Sequence, residues 1–219
     1  MKYNRSKGNT VGSLTSTQQA ILIGSLLGDG TLRRQMDRRN ALFEVNHAYK
    51  HKEYVDWKWK NFYEFTLTGP KPRLGKGTRV AYRFTMRSLP EFTQYYIKFY
   101  PKRIKQIPLD LRLNTLSLAV WFMDDGCKSR TAIYLNTQKF SLSEQHYLQG
   151  ILLKTFGINS SLNRDKKYFR IRIDSKSSIL MCNLIEPYIL PCLRYKLIND
   201  PVTTELKNKI SNKNYILSR

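Results

Sequence analysis

The sequence predicts an α+β protein made of two pseudo-symmetric halves, and three observations carry that prediction. An apolar decapeptide occurs twice, as ILIGSLLGDG (residues 21–30) and SLAVWFMDDG (residues 117–126), ending both times in Asp-Gly. Two stretches with clear period-2 alternation, RVAYRFTMRS (79–88) and KKYFRIRIDS (166–175), stand at similar places behind the two copies. The 219 residues, 41% hydrophobic and 12% aromatic, are enough for one large domain or two small ones with a sizeable core, and exclude a disordered tail. The halves are set at residues 1–100 and 116–219, with a linker over 101–115 punctuated by Pro101 and Pro108.

Each decapeptide reads as a short apolar helix. In the first half a polar-rich extended stretch follows (31–50), in which RRQMDRRN (33–40) is a basic hairpin turn. A helix is expected over 53–65, loops at Pro70-Lys-Pro and Gly75-Lys-Gly, a strand over 79–88 and a helix over about 89–100. The second half repeats the order with a strand over 131–140 and a helix opening at Ser141. There SLSE is a capping box: the Ser141 hydroxyl caps the first turn and Glu144 reaches back to the Ser141 N–H. Gly157 stops that helix; a strand over 166–175 and a helix to about Tyr188 follow. Each half is compatible with helix, strand, strand, helix, strand, strand, helix, although not every strand is legible.

Charge narrows the partners. Lys and Arg number 38 against 16 Asp and Glu, a net charge of +22, which implies a polyanionic partner and salt-sensitive binding. No apolar run reaches the ~18–20 residues that cross a bilayer, and the start lacks the apolar stretch of a signal peptide, so no membrane partner is expected. The three cysteines include no CxxC pair, which argues against a disulfide framework or a zinc ribbon and for a reducing compartment. Alternation puts Val80, Tyr82, Phe84 and Met86 on one face and Arg79 and Arg83 on the other; Phe169, Ile171 and Ile173 stand opposite Arg170 and Arg172. A row of guanidinium groups in each half suits phosphate and the guanine edge.

The helix ends carry the chemistry. Asp29 and Asp125 lie at helix C-termini, where the macrodipole penalises an anion by roughly 0.3–1 kcal/mol. Two such ends imply that something cationic sits between them. Gly24 and Gly28, spaced as in GxxxG, would let the first helix approach the second, whose Val120 and Asp124 at the matching places exclude a strictly symmetric contact. Asp124 is an extra carboxylate, expected to cap or support, with Asp125 preferred as metal ligand. Two converging carboxylates repel unless a cation neutralises them. Mg²⁺ is held by a few carboxylates plus phosphate oxygens and water, and assists phosphodiester hydrolysis. His47 and His51 form HxxxH with no apparent third ligand, which argues against zinc.

LIGSLLGDG and LAVWFMDDG resemble the paired motifs of the single-chain, double-motif LAGLIDADG homing endonucleases of the intron-encoded type. LNTQKF and IEPYILPCLRYKL extend the resemblance over residues 17–197. It implies a monomer of two αββαββα halves, with the motif helices at the interface and two saddle-shaped antiparallel DNA-binding sheets. Asp29 and Asp125 become the catalytic metal ligands, holding Mg²⁺, for which Mn²⁺ can substitute. Lys105 in RIKQIP and Lys196 in LRYKL, following Pro101 and Pro191, lie near the scissile phosphates. Gln138 in LNTQKF holds an active-site water; its counterpart in the first half is His47, with Glu44 close enough to substitute.

The DNA-binding set comprises Arg33, Arg34, Arg38, Arg39, Glu44, His47, Arg79, Arg83, Lys128, Arg130, Asn136, Lys166, Lys167, Arg170 and Arg172. The implied activity is site-specific double-strand cleavage of a long asymmetric DNA target, by a protein encoded within an intron of a mitochondrion or chloroplast. The rival is an RNA maturase that binds its host intron RNA, and a third reading is a DNA-binding regulator without catalysis. Retention of both acidic motif residues favours the endonuclease.

Overall fold

The computed structural model describes residues 13–36, 39–75 and 78–198. The first half runs α1 (Ser16–Leu27), β1 (Thr31–Arg33), β2 (Leu42–Ala48), α2 (Lys52–Asn61), β3 (Lys71–Leu74), β4 (Val80–Thr85) and α3 (Pro90–Phe99). The second runs α4 (Thr115–Asp125), β5 (Gly126–Ser129), β6 (Ala132–Leu135), α5 (Leu142–Phe156), β7 (Ser160–Asp165), β8 (Tyr168–Ile173) and α6 (Ser175–Ile185). This is αββαββα twice. Each half makes a four-stranded antiparallel sheet, with orders β1-β2-β4-β3 and β5-β6-β8-β7, so the topology repeats as well as the motif.

Local signals start the helices. Thr15 with Gln18 and Asn114 with Ser117 form reciprocal capping boxes at the starts of α1 and α4, and Ser141 with Glu144 does so at α5, as its sequence predicts. Gly157 ends α5 in the left-handed region, at φ 69°. Several boundaries differ from the expectation. Residues 71–74, expected as loop, form the edge strand β3; Pro72 has no N–H to donate and is tolerated there. β5 and β7, both largely polar, are the strands the sequence did not reveal, and they form the edges of the second sheet. β6 stops at Leu135 instead of reaching residue 140, because the chain turns back with the Phe140 N–H donating to the Thr137 carbonyl at 2.9 Å.

The core is continuous across both halves, and α1 and α4 run through it. Ile21, Leu22, Leu26, Leu27, Leu118, Val120, Trp121 and Phe122 are fully buried, each worth about 1.5–3 kcal/mol of apolar burial. The two helices approach so closely that a Cβ on Gly24 would lie 2.4 Å from the Ser117 carbonyl and 2.7 Å from the Val120 Cβ. One on Gly28 would lie 2.3 Å from the Asp124 Cβ. Glycine on α1 therefore meets larger residues on α4, the asymmetric contact that the two motifs predict. With α1 and α4 side by side, both aspartate-bearing ends come to one place between the two sheets.

Candidate active site

Each motif helix delivers its aspartate at its last turn: Asp29 follows the C-cap Gly28, and Asp125 closes α4 before the C-cap Gly126. A lysine sits on the terminal carbonyls of each helix. Lys105 donates to the Gly28 carbonyl at 3.2 Å and the Gly30 carbonyl at 2.8 Å. Lys196 donates to the Met123 carbonyl at 2.6 Å and the Asp124 carbonyl at 3.5 Å. The Gly28, Met123 and Asp124 carbonyls are acceptors that a helix leaves unpaired at its C-terminus, where the macrodipole favours a cation, and Gly30 lies in the loop just beyond α1. The routes to the two lysines differ. Lys196 ends a 3-10 helix, Pro191–Lys196, whereas Lys105 lies two residues beyond a shorter one, Pro101–Arg103, in which Lys102 and Arg103 hold left-handed φ of 53° and 63°.

The electrostatics are those of a crowded acidic centre ringed by cations. Burial, then the carboxylates of Asp124 and Asp125, push Asp29 up to about 6. Burial raises Asp125 too, against the pull of Lys139. Burial, and next the ammonium of Lys139, lower Lys105 to about 7, and burial lowers Lys196. Lys139 is a residue that sequence reasoning missed. Its Nζ lies 2.7 Å from the Gly28 carbonyl and 3.1 Å from Asp125 Oδ2, so it bridges the ends of α1 and α4.

Asp124 does a different job from its neighbour. Its side chain is fully buried against the equally buried Lys58 of α2, with Nζ at 2.8 and 3.1 Å from its two oxygens. Burial alone would raise the Asp124 carboxyl, but Lys58 and His47 beside it hold it below the usual carboxylate range. Asp124 Oδ2 also accepts the backbone N–H of Asp29 at 3.2 Å, so it fixes the loop that carries the first motif aspartate. That matches the capping and supporting role expected of it.

Lys58 had a legible signal: Tyr54, Val55, Lys58 and Phe62 fall at helical spacing and all are buried.

His47 and Gln138 lie in different settings. Thr31 pairs with Glu44 as Cys127 pairs with Tyr134, so Val45 corresponds to Leu135 and His47 to Thr137, one place short of Gln138. His47 shares the helix-facing side of β2 with Phe43 and Val45, away from the outward face. Its ring nitrogens are 3.5 Å from Asp29 Oδ2 and 3.6 Å from Asp124 Oδ1, and burial keeps it neutral down to about 4. Gln138 donates its amide to Asp165 Oδ2 at 2.8 Å, at the end of β7.

The basic residues divide by face. Arg83 shares an outward row with Asn46 and Lys71, and Arg73 lies in the next row; Lys71 and Arg73 went unremarked because their stretch read as loop. Glu44 is on this face, 3.1 Å from Arg33 and 4.0 Å from Arg83. In the second sheet Arg172 shares its row with Tyr134 and Ser161, and Arg170 with Asn163. Arg170 covers the Tyr134 ring at 4.3 Å and donates to Asn136 Oδ1 at 3.4 Å. Arg34, Arg39, Arg79, Arg130, Lys166 and Lys167 are exposed outside the strands, Arg130 and Lys166 at hairpin turns. Lys128 points to the helix side with Ile133, its Nζ on the Leu197 carbonyl at 2.9 Å. Arg38 lies outside the described residues.

Residues 19–180 match the LAGLIDADG DNA endonuclease family. The chain belongs to that family. It is 32% identical over 203 residues to a probable intron-encoded endonuclease 1 of Wickerhamomyces canadensis, covering 85% of this chain and 86% of that protein. It is 28% identical over 217 residues to the cytochrome b mRNA maturase bI2 of Saccharomyces cerevisiae, and spans 51% of that longer protein against 91% of itself. Among solved structures it is similar to the homing endonuclease I-WcaI bound to its DNA recognition sequence, with a TM-score of 0.81 and 27% identity over 86% of this chain and 89% of that one. The LAGLIDADG fold therefore accounts for both sheets and for the paired helices between them.

As a metal centre, the donor set is small. Asp29 and Asp125 supply carboxylate oxygens at converging helix ends, and among the described residues no group of three or more His, Cys, Asp or Glu side chains is placed to enclose an ion. The carboxylate pair suits Mg²⁺ in type, an ion that takes one or two carboxylates and completes its shell with water and substrate phosphate.

Proposed function

We propose that this chain is a site-specific, divalent-metal-dependent double-strand DNA endonuclease that serves intron homing, encoded within an intron of a mitochondrion or chloroplast and acting as a monomer. One observation supports the reading above all: two aspartates at adjoining helix ends, each helix end held by its own lysine. The protein's two related halves supply one such end each, and a DNA duplex has two strands to cut.

Asp29 and Asp125 would hold the Mg²⁺, or Mn²⁺ in its place; what the ion supplies there is activation of water and charge neutralisation at the scissile phosphates. Lys105 and Lys196 stand where negative charge develops at each phosphate, to stabilise it or to exchange a proton with the attacking water. A lysine lowered to about 7, as Lys105 is, moves its proton readily near neutral pH. The outward faces of the two sheets grip the duplex: arginines and lysines fix phosphates, and arginine and asparagine side chains read base edges. The two faces differ in sequence, which suits a long asymmetric target.

A second reading has support in the likeness to the maturase, which runs over 91% of this chain. In it the same basic faces bind intron RNA. The test is cleavage of a randomised duplex library with Mg²⁺ by the parent chain, Asp29→Asn and Asp125→Asn. Discrete double-strand cuts by the parent, reduced by on the order of 10³ or to nicking in the variants, support the endonuclease. No cutting by any form, with tight binding to structured intron RNA, supports the maturase.

A further inference from the structure

Lys139 joins the ends of α1 and α4. The C-terminus of α1 holds two lysine side chains at once, for the Gly28 carbonyl accepts from Lys105 at 3.2 Å and from Lys139 at 2.7 Å. Lys139 adds a contact of 3.1 Å to Asp125 Oδ2, so one ammonium spans the two helix ends at the place where a cation is demanded by the carboxylate pair.

The arrangement is one-sided. Asp125 is 15% exposed and paired with Lys139, whereas Asp29 is 48% exposed and its ion-pair-distance neighbour among the described residues is His47, at 3.5 Å. Lys139 is not fixed in place by burial. Its side chain is 37% exposed, and it sits in the turn after β6.

We propose that Lys139 is an exchangeable counter-ion, a built-in cation that occupies the divalent-metal position at Asp125 in the free protein and must be displaced for the metal to bind there. The inference rests on the reading of Asp29 and Asp125 as metal ligands. Its consequence is that metal loading is weak until DNA arrives, because a phosphate offers the displaced ammonium a new partner.

The test is calorimetric titration with Ca²⁺, without DNA and at fixed ionic strength, of the full chain, Lys139→Met, Lys139→Arg and Asp125→Asn. Circular dichroism checks that each variant is folded. The expected result is Ca²⁺ binding at least ~10-fold tighter in Lys139→Met than in the parent, parent-like binding in Lys139→Arg, and loss of binding in Asp125→Asn. Binding that Asp125→Asn abolishes but Lys139→Met leaves unchanged or weakens overturns the counter-ion role and leaves the metal reading intact. No Ca²⁺ binding by any form overturns both.

Discussion

The C-terminal ends of α1 and α4 carry the same aspartate in different company. At the α1 end, Asp29 is half-exposed, faces a neutral histidine and is raised to about 6 by burial and the neighbouring carboxylates. At the α4 end, Asp125 is mostly buried and paired with Lys139. Only the second motif adds a further carboxylate, Asp124, where the first has Gly28, and that carboxylate crosses to the first half to meet Lys58. The shared parts are the helix, the aspartate and the lysine on the terminal carbonyls; the divergent parts are everything that sets charge around them. A repeated scaffold has kept the positions of the aspartates and of the lysines on the helix ends and changed their surroundings one half at a time.

Breaking the buried pair is the largest perturbation open to this asymmetry. Lys58→Met leaves Asp124 charged, buried and unpaired, and costs about 3–5 kcal/mol of stability in urea unfolding. Adding Asp124→Asn, which leaves no buried charge, restores part of that loss. The other pair at the helix ends makes the contrast: Lys139→Met, at a pair that water reaches, costs under about 1 kcal/mol.

A second effect reads the histidine against the aspartate it faces. The unfolded chain protonates His47 below 6.5, but the folded chain keeps it neutral to about 4. Protonation between those values favours the unfolded state, so the His47 contribution falls as pH falls, by about 3 kcal/mol over the window. Asp29 works in the opposite direction. Its folded value of about 6 stands above the ordinary 3.8, so the stability it contributes is present below that ordinary value and is lost as pH rises through about 6. Unfolding measured from pH 4 to 7 should therefore lose its acid-side decline in His47→Gln and show a steeper one in Asp29→Asn.

The smallest effect compares the two sheets. Arg83→Ala in the first and Arg172→Ala in the second should each weaken DNA binding across sequences and lower the slope of log affinity against log salt by about 1. His47→Gln, on the helix side of its strand, should leave that slope unchanged.

What the sequence made legible follows from how strongly each pattern was constrained. The motif helices, α5 with its capping box and the alternating strands β4 and β8 were readable because burial on one face and reciprocal caps restrict residue type. β3, β5 and β7 were not, because edge strands bury little and take proline and polar residues freely. The convergence of Asp29 and Asp125 at adjoining helix ends followed from the two glycines of the first motif. Lys139 left no trace, since its partners are a backbone carbonyl and a carboxylate remote in the chain. The resemblance makes His47 the counterpart of Gln138 and a DNA-binding residue, whereas the period of β2 puts it with Phe43 and Val45.

The most direct test of two half-sites acting on two strands is strand-resolved end mapping of the cleaved duplex for the parent, Lys105→Met and Lys196→Met. The account predicts double-strand cuts by the parent and slowing of one strand in each variant, the opposite strand in the two cases. No cutting by the parent, or equal slowing of both strands in both variants, would contradict it.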